Sequence, residues 1–231
     1  MGSGPHESTS PEEFYYPPAG GEGSGEPAAG GTTAGADGAD GSDSNGIVDI
    51  AGATAGAAGV RSGGSTSSEA PIIEAEGLTH VFQDGTRALD GVDFSLRRGE
   101  FVLVVGPNGS GKTVFARHLN ALYRPTSGEV RVAGLSTRSH AAEARKRVGL
   151  VFQDADSQIV GQTVRSDIAF GPQNLRLPKE EVEQRVEEAL ETLDLRELAD
   201  HRPHLLSGGE KRRLAIAGVL ALRPEVIILD E

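Results

Sequence analysis

The sequence predicts an α/β fold with a mostly parallel core sheet, and three observations predict it. An apolar run at residues 101–105 leads directly into a glycine-rich turn and then into a helix-forming stretch. Two further apolar runs of strand length, at 148–152 and 226–229, each end in a polar side chain. Amphipathic helical stretches lie between these two runs. Continuous apolar runs of this length are typical of strands covered on both faces, as in parallel sheets.

Residues 1–70 differ in composition from the rest of the chain. They hold ten acidic side chains against one basic one, Arg61, and 17 of the 32 glycines. Such a segment buries too little apolar surface to offset the entropy lost on ordering. We therefore expect 1–70 to form a disordered, acidic, glycine-rich tail and 71–231 to form the folded domain. A mistaken upstream start and a tethered binding segment around residues 14–16 remain open as other interpretations of the tail.

The composition also excludes several classes of protein. The chain has no cysteine, which excludes disulfide frameworks and cysteine-ligated metal sites. No apolar run approaches the roughly 18 residues of a membrane-spanning helix, so we expect any membrane role to come through a partner. The net charge of −12 argues against a nucleic-acid partner, which would need a basic face.

The first part of the domain is predicted to be extended. Residues 72–76 and 78–82 are rich in strand-forming side chains, and Asp84-Gly85 is a turn signal. At 92–96, apolar and polar residues alternate, which favours a half-buried strand.

Residues 178–193 are predicted to form an amphipathic helix. Their apolar side chains fall at helical spacing on one face, and their glutamates lie mostly on the other. Pro178 suits the first turn of this helix.

The apolar run at 101–105 is followed by the pattern of a phosphate-binding loop, G-x-x-x-x-G-K-[ST]. Glycines let successive backbone N–H groups turn toward phosphate oxygens, and the helix expected at about 111–122 offers its positive end to the anion. Lys112 can reach the β- and γ-phosphates, and the Thr113 hydroxyl can ligate Mg²⁺. The nucleotide-binding loop is predicted to comprise Gly106, Pro107, Asn108, Gly109, Ser110, Gly111, Lys112 and Thr113.

The chain closes with the apolar run 226–229 followed by Asp230 and Glu231. A carboxylate at the end of a strand can hold Mg²⁺ directly or through water. A second carboxylate beside it can orient and activate an attacking water. Asp230 is therefore a predicted metal residue and Glu231 a predicted general base.

Residues 206–210, Leu-Ser-Gly-Gly-Glu, precede an amphipathic helix that we expect to run to about Ala221; they are called the signature segment below. Ser207 and Glu210 have the spacing of an ordinary capping box. A cap does not require Gly208 and Gly209, however, and these glycines permit close approach of a phosphate to the helix N-terminus.

Four features taken in order resemble the ATP-binding cassette (ABC) ATPases over residues 72–231. They are the phosphate-binding loop, Gln153 after a strand, the signature segment, and the apolar run before Asp230-Glu231. The resemblance implies a P-loop NTPase fold with a mostly parallel core sheet, an antiparallel β subdomain and a helical subdomain carrying the signature segment. It also implies ATP and Mg²⁺ as cofactors, and ATP hydrolysis as the activity.

The resemblance further implies individual roles. Phe82 matches the residue that stacks on adenine, usually a tyrosine in this family; a ring face is enough for stacking. Gln153 would sense Mg²⁺ and the attacking water, and would link the nucleotide to the membrane partner. Family members work as head-to-tail dimers, so Ser207, Gly208, Gly209 and Glu210 would face the nucleotide of the opposite subunit.

Residues 149–160, 163–175 and 213–221 resemble the ATPases of energy-coupling factor importers, which take up vitamins, cobalt or nickel. One departure is Asp154-Ala155 where that group usually has Asn-Pro. The resemblance implies three partners: a second ABC ATPase subunit, a membrane scaffold subunit and a substrate-binding membrane subunit. It also implies a peripheral location on the cytoplasmic face of the membrane, with 154–175 near the scaffold.

In this family a strand that carries a switch histidine follows the acidic pair. We therefore expect the domain to be incomplete at its C-terminus and the chain alone to be a poor ATPase. Two alternatives stay open: the ATPase of another ABC importer class, and a nucleotide-binding remnant without turnover. A soluble ABC protein acting on ribosomes or DNA is disfavoured, because the interval from Gln153 to Ser207 is too short for a coiled coil and only one cassette is present.

Overall fold

The computed structural model describes residues 45–49 and 70–230. The strands are β1 (Asn45–Asp49), β2 (Ile73–Val81), β3 (Arg87–Leu96), β4 (Phe101–Val105), β5 (Ser127–Val132), β6 (Leu135–Ser136), β7 (Val148–Val151) and β8 (Val226–Leu229). The helices are α1 (Lys112–Leu119), α2 (Ala141–Arg147), α3 (Val164–Asn174), α4 (Lys179–Thr192) and α5 (Gly208–Leu220). No helix in the described residues is both long and apolar enough to span a bilayer.

An antiparallel sheet forms from strands in the order β3-β2-β5-β6. Ile73 on the central strand β2 lies opposite Leu96 on β3 and Val132 on β5, and all three side chains are buried. The two extended pieces predicted at 72–76 and 78–82 are one strand, with an irregular register around Gly77, where φ is +57°.

The parallel strands β7 and β8 are followed by the two polar residues that the sequence singles out, Gln153 and Asp230. Strand β7 pairs in parallel with β8, with Val151 opposite Leu229, and the N–H of Asp230 donates to the Val151 carbonyl at 3.0 Å. Because carboxyl ends of parallel strands meet at one edge, the residues that follow β7 and β8 come together. The predicted α/β fold with parallel core strands is confirmed.

Strand β1 corrects the prediction of a disordered tail for five residues. It lies inside 1–70 and pairs in parallel with β4, with Asp49 opposite Val105. Among the described strands β4 has only this ladder partner, and unpaired backbone groups of a strand favour pairing. The rest of 1–69 lies outside the described residues.

One hydrophobic core lies between the antiparallel sheet and α1. Phe94 of β3 and Phe115 of α1 meet edge to face with ring centroids 5.2 Å apart, and both are buried. Helix α1 is shorter than the predicted 111–122, because Asn120 caps its end and Ala121 turns into the left-handed region at φ +57°. The buried Asn120 side-chain amide donates to the Val148 carbonyl, which ties α1 to β7.

A second core lies among α3, α4 and α5, which pack through buried Ile168, Leu190 and Leu214. Helix α4 confirms the predicted amphipathic helix. Pro178 is the N-cap residue that precedes this helix, whereas the sequence predicted it within the first turn. Periodicity did not predict α3 as a helix. The N-cap of α3 is Thr163, whose hydroxyl accepts from the Ser166 N–H at 3.1 Å in a reciprocal capping box.

The helical core and the parallel strands meet at Gly149 of β7. A Cβ at this position would lie 2.3 Å from Cγ1 of Val219 and 3.1 Å from Cγ of Pro224. Helix α5 therefore rests directly on the β7 backbone, and no side chain fits between them.

Substitution of Gly149 tests this contact. We expect Gly149→Ala to reduce the free energy of unfolding by about 1–3 kcal/mol, because overpacking forces the strand and helix apart. Urea unfolding followed by circular dichroism measures the change.

The matched control is Gly218→Ala in α5, where the nearest atom to a new Cβ is an Asp167 carboxylate oxygen at 4.0 Å. Alanine is favoured over glycine inside a helix by about 0.5–1 kcal/mol, so this variant should be as stable as the wild type or more so. Equal stability of Gly149→Ala and wild type would contradict the close packing.

Candidate functional site

The phosphate-binding loop connects β4 to α1, as predicted. Gly109 and Gly111 have φ of +80° and +94°, which an L side chain rarely adopts. Gly111 also lies against β3: a Cβ there would be 2.6 Å from the carbonyl oxygen of Ala88. The loop thus requires glycine at 111 for two reasons, backbone conformation and space.

Three features of this loop fit a bound phosphate chain. The first turn of α1 contains no acidic residue of its own, so no carboxylate within the helix compensates its positive end. The Lys112 ammonium curls over the loop and donates to the carbonyl oxygens of Gly106 at 3.0 Å and Pro107 at 3.2 Å. The buried Ser110 hydroxyl has no hydrogen-bond partner in the described residues. A phosphate oxygen would satisfy this hydroxyl and draw Lys112 off the carbonyls.

The predicted metal residues Thr113 and Asp230 are in contact. The Thr113 hydroxyl donates to Oδ1 of Asp230 at 3.1 Å, which joins the start of α1 to the end of β8. A hydroxyl and a carboxylate beside a phosphate site are the ligands that Mg²⁺ prefers, since this ion usually keeps several waters and binds substrate phosphates. The described residues contain no cluster of three or more His, Cys, Asp or Glu side chains that could hold a metal unaided.

Gln153 follows β7 at the same edge of the sheet as Asp230, as the parallel pairing requires, and its side chain is exposed. This position suits a residue that reaches toward the metal and the γ-phosphate. Glu231, the predicted general base, lies outside the described residues.

Phe82 follows the end of β2 with 39% of its surface exposed. Its ring meets the His80 ring edge to face at a centroid distance of 4.7 Å. Part of this ring is therefore exposed and open to stacking, while the ring also packs against His80.

The signature segment forms the capping box that its spacing predicts. The backbone N–H and the hydroxyl of Ser207 each donate to Oε2 of Glu210 at 2.7 Å. These bonds, first from the hydroxyl and then from the N–H, lower the pKa of Glu210. A Cβ at Gly208 or Gly209 would meet nothing within 4 Å, so this end of α5 is open. Within residues 70–230, no hydrogen bond or ion pair joins the segment to the phosphate-binding loop.

Sequence reasoning missed two carboxylates between Gln153 and the signature segment. Asp156 forms an ion pair with Lys211 of α5, with N–O distance 2.7 Å. Asp167 of α3 is buried, and its Oδ1 accepts from the backbone N–H groups of Val160 at 2.8 Å and Gly161 at 2.7 Å. An acidic residue among the apolar positions of a helix was the available signal for Asp167. These contacts fix the segment after Gln153 against the helical core.

The comparisons with known proteins agree with this geometry. The family model described as ABC transporter matches residues 89–231. The chain belongs to the ABC transporter family. The energy-coupling factor transporter ATP-binding protein EcfA of Methanocaldococcus jannaschii is 50% identical over 163 residues, which cover 69% of this chain and 58% of that protein. The cobalt import ATP-binding protein CbiO of Rhodobacter capsulatus is 49% identical over 164 residues, which cover 70% and 59% respectively.

Solved ABC proteins have the same fold. The structure of CbiO1 from Clostridium perfringens, part of the ABC transporter complex CbiONQ, is 38% identical with a TM-score of 0.64, over 71% of this chain and 66% of that one. An ATP-binding cassette solved as a post-hydrolysis dimer with ADP and Pi is 29% identical with a TM-score of 0.63, over 69% and 74%. The chain spans 58% and 59% of the length of the two curated relatives above.

The buried carboxyl of Asp167 predicts that the stability of this ABC domain depends on pH. Burial raises the pKa of Asp167 above its ordinary value of 3.8, against the two backbone N–H bonds that lower it. A raised folded pKa means that the folded state holds the proton more tightly than the unfolded state. The stabilisation from Asp167 is thus full below the ordinary pKa and is lost as the pH rises through the folded pKa.

Asp167→Asn keeps an acceptor oxygen for both N–H groups and removes the titration. We expect this variant to gain stability relative to the wild type as the pH rises from about 4 to 7, measured by urea unfolding at several pH values. Asp167→Ala is the control: it also removes the titration but leaves both N–H groups without their acceptor, so it should be less stable than Asp167→Asn by about 1–3 kcal/mol throughout. A constant difference between wild type and the asparagine variant would contradict the burial argument.

Proposed function

We propose that this chain binds ATP with Mg²⁺ and provides the ATP-hydrolysing subunit of an energy-coupling factor importer for a vitamin or a transition-metal ion. The observation that carries the proposal is the hydrogen bond between Thr113 and Asp230 beside the phosphate-binding loop, because a hydroxyl and a carboxylate are both suited to Mg²⁺. The names of two relatives at about 50% identity support the choice of importer. One is an energy-coupling factor transporter ATP-binding protein, and the other is a cobalt import ATP-binding protein.

Each side chain then has a defined task. The exposed face of Phe82 stacks on adenine, and Lys112 leaves the Gly106 carbonyl to neutralise the β- and γ-phosphates. Thr113 and Asp230 would hold Mg²⁺, and the ion would supply positive charge that neutralises the phosphate oxygens. Gln153 orients the attacking water, and Glu231 accepts its proton.

We assign the signature segment to the nucleotide of a second ATPase subunit. Its open helix end supports this assignment, as does the absence, within residues 70–230, of a hydrogen bond or ion pair between it and the phosphate-binding loop of the same chain. The solved cassette with ADP and Pi is itself a dimer. The γ-phosphate would lie between one subunit's loop and the other's α5, so that its loss would weaken the pairing.

The remaining partners follow from the relatives. CbiO1 is part of a complex, CbiONQ. We propose that a membrane scaffold subunit docks near residues 154–175, where Asp156 and Asp167 fix the backbone, and that a separate membrane subunit binds the substrate. The chain would then lie at the cytoplasmic face of the membrane, as a peripheral subunit without a nucleic-acid partner.

ATP binding by the phosphate-binding loop is the first test. We expect Lys112→Ala to weaken Mg–ATP binding at least about tenfold, because the variant loses a charge-assisted contact to phosphate. Equilibrium dialysis with radiolabelled ATP measures the affinity.

Lys146→Ala in α2, an exposed lysine away from the loop, is the matched control and should bind as the wild type does. Unchanged affinity in Lys112→Ala would contradict the site. Phosphate release then separates the activities: the wild type should release phosphate, and Glu231→Gln should bind ATP without doing so. A wild type that binds but releases none would favour a nucleotide-binding remnant.

A further inference from the structure

The loop that follows β7 closes on itself through the side chain of Gln158. The Phe152 N–H donates to Oε1 of Gln158 at 3.0 Å. Within the loop, the Asp154 carboxylate accepts from the Asp156 N–H at 3.1 Å. Gln153, the second residue of this loop, therefore lies in a segment whose two ends are joined by a hydrogen bond.

The same glutamine side chain also reaches α5. Nε2 of Gln158 donates to the Ala215 carbonyl at 3.5 Å. A backbone N–H can only donate and a carbonyl can only accept, so the contacts with Phe152 and Ala215 require the same orientation of the amide. Gln158 thus uses both ends of its amide to connect the backbone at the end of β7 to the backbone of α5.

Two further contacts hold the loop on the same face of α5. Asp156 forms its ion pair with Lys211, which is four residues from Ala215 and so lies on the same face of the helix. Ala155 packs against the small buried core between β7 and α5. The Asp156 side chain is 66% exposed, and ion pairs at the surface contribute little. The half-buried Gln158 is therefore the stronger polar link between the loop and α5.

These contacts bear directly on Gln153. This residue is exposed and lies between β7 and the short 3₁₀ turn Ala155–Ser157. An exposed loop side chain has many conformations, whereas a group that orients a reacting water must be held close to one of them. The neighbours of Gln153 are both held, Phe152 by Gln158 and Asp154 by its bond within the turn. Gln158 therefore helps to set the backbone position from which Gln153 reaches the site.

We propose that Gln158 is a positioning residue for Gln153: its two amide bonds hold the loop after β7 against α5 so that Gln153 reaches the attacking water. The inference rests on the proposed function, in which Gln153 orients this water. Loss of the two bonds leaves the phosphate-binding loop and Phe82 unchanged. Turnover then falls while ATP binding is kept.

The test is Gln158→Met, which keeps the length of the side chain and removes both hydrogen bonds. We expect kcat for phosphate release to fall about tenfold, because displacement of a reacting or orienting group by up to about 1 Å slows the reaction. KM for Mg–ATP should change by less than about twofold, because no contact with ATP is removed. Phosphate release at several ATP concentrations gives both constants, and equilibrium dialysis gives the affinity for Mg–ATP directly.

A double-mutant cycle with Gln153 separates positioning from a general structural role. In Gln153→Ala the side chain to be positioned is absent, so the addition of Gln158→Met should lower kcat by no more than about twofold. A general loss of structure would instead lower kcat by the same factor with and without the Gln153 side chain.

A second variant and a control complete the set. Gln158→Glu keeps the acceptor for the Phe152 N–H and loses only the donor to Ala215. It should lower kcat less than Gln158→Met does, and it decides the matter if the methionine variant does not fold. Gln184→Met, at an exposed glutamine of α4 that donates to Glu188 at 2.8 Å, is the matched control and should have the kcat of the wild type.

The outcomes are distinct. An unchanged kcat in the Gln158 variants would overturn the positioning role alone, with the ATP site intact. Multiplication of the Gln153 and Gln158 effects would also overturn it, as would a rise in KM without a fall in kcat. Absence of Mg–ATP binding or of phosphate release in the wild type would overturn the proposed function and this inference together.

Discussion

The carbonyl oxygen of Ala88 in β3 approaches Gly111 so closely that a side chain at 111 would stand 2.6 Å from it. This contact sets the antiparallel sheet against the phosphate-binding loop and fixes the residue at which α1 begins. Because α1 begins there, Lys112 reaches back over the loop and Thr113 meets Asp230. The phosphate-binding loop, the proposed metal ligands Thr113 and Asp230, and the proposed adenine contact Phe82 at the end of β2 are therefore positioned relative to one another through this backbone contact.

Strand β7 links this site to the helical core. On one side, its Val148 carbonyl accepts a hydrogen bond from the buried side-chain amide of Asn120 at the end of α1. On the other side, α5 packs directly against the backbone of Gly149. The segment that follows β7 begins with Gln153 and is held to α5 by Asp156 and Lys211. A change at the nucleotide therefore has a short, continuous physical route to the surface near residues 154–175.

Local signals predicted much of this arrangement. The strand, loop and helix around Gly111 are specified by adjacent residues, and the parallel strands are visible as apolar runs ending at Gln153 and Asp230. The features that were missed depend on distant partners. Helix α3 contains Gly171 and Pro172, which weaken a helical pattern, and packing against α4 and α5 overrides this. Strand β1 needs the free edge of β4, and Asp167 acquires its role only when α3 meets the backbone of 160–161.

The contact between Gly149 and Val219 also has a mechanical meaning. Helix α5 runs 13 residues from Gly208 to Leu220, and Val219 lies near its far end. At 1.5 Å per residue, Ser207 lies about 18 Å along the helix from that contact, so a small rotation of α5 about the contact moves Ser207 much further than it moves Val219. A tilt of α5 by about 10° about this contact displaces Ser207 by roughly 3 Å, close to the length of one hydrogen bond. In the proposed dimer, the angle of α5 at its contact with β7 would therefore set how far the signature segment reaches toward the other subunit.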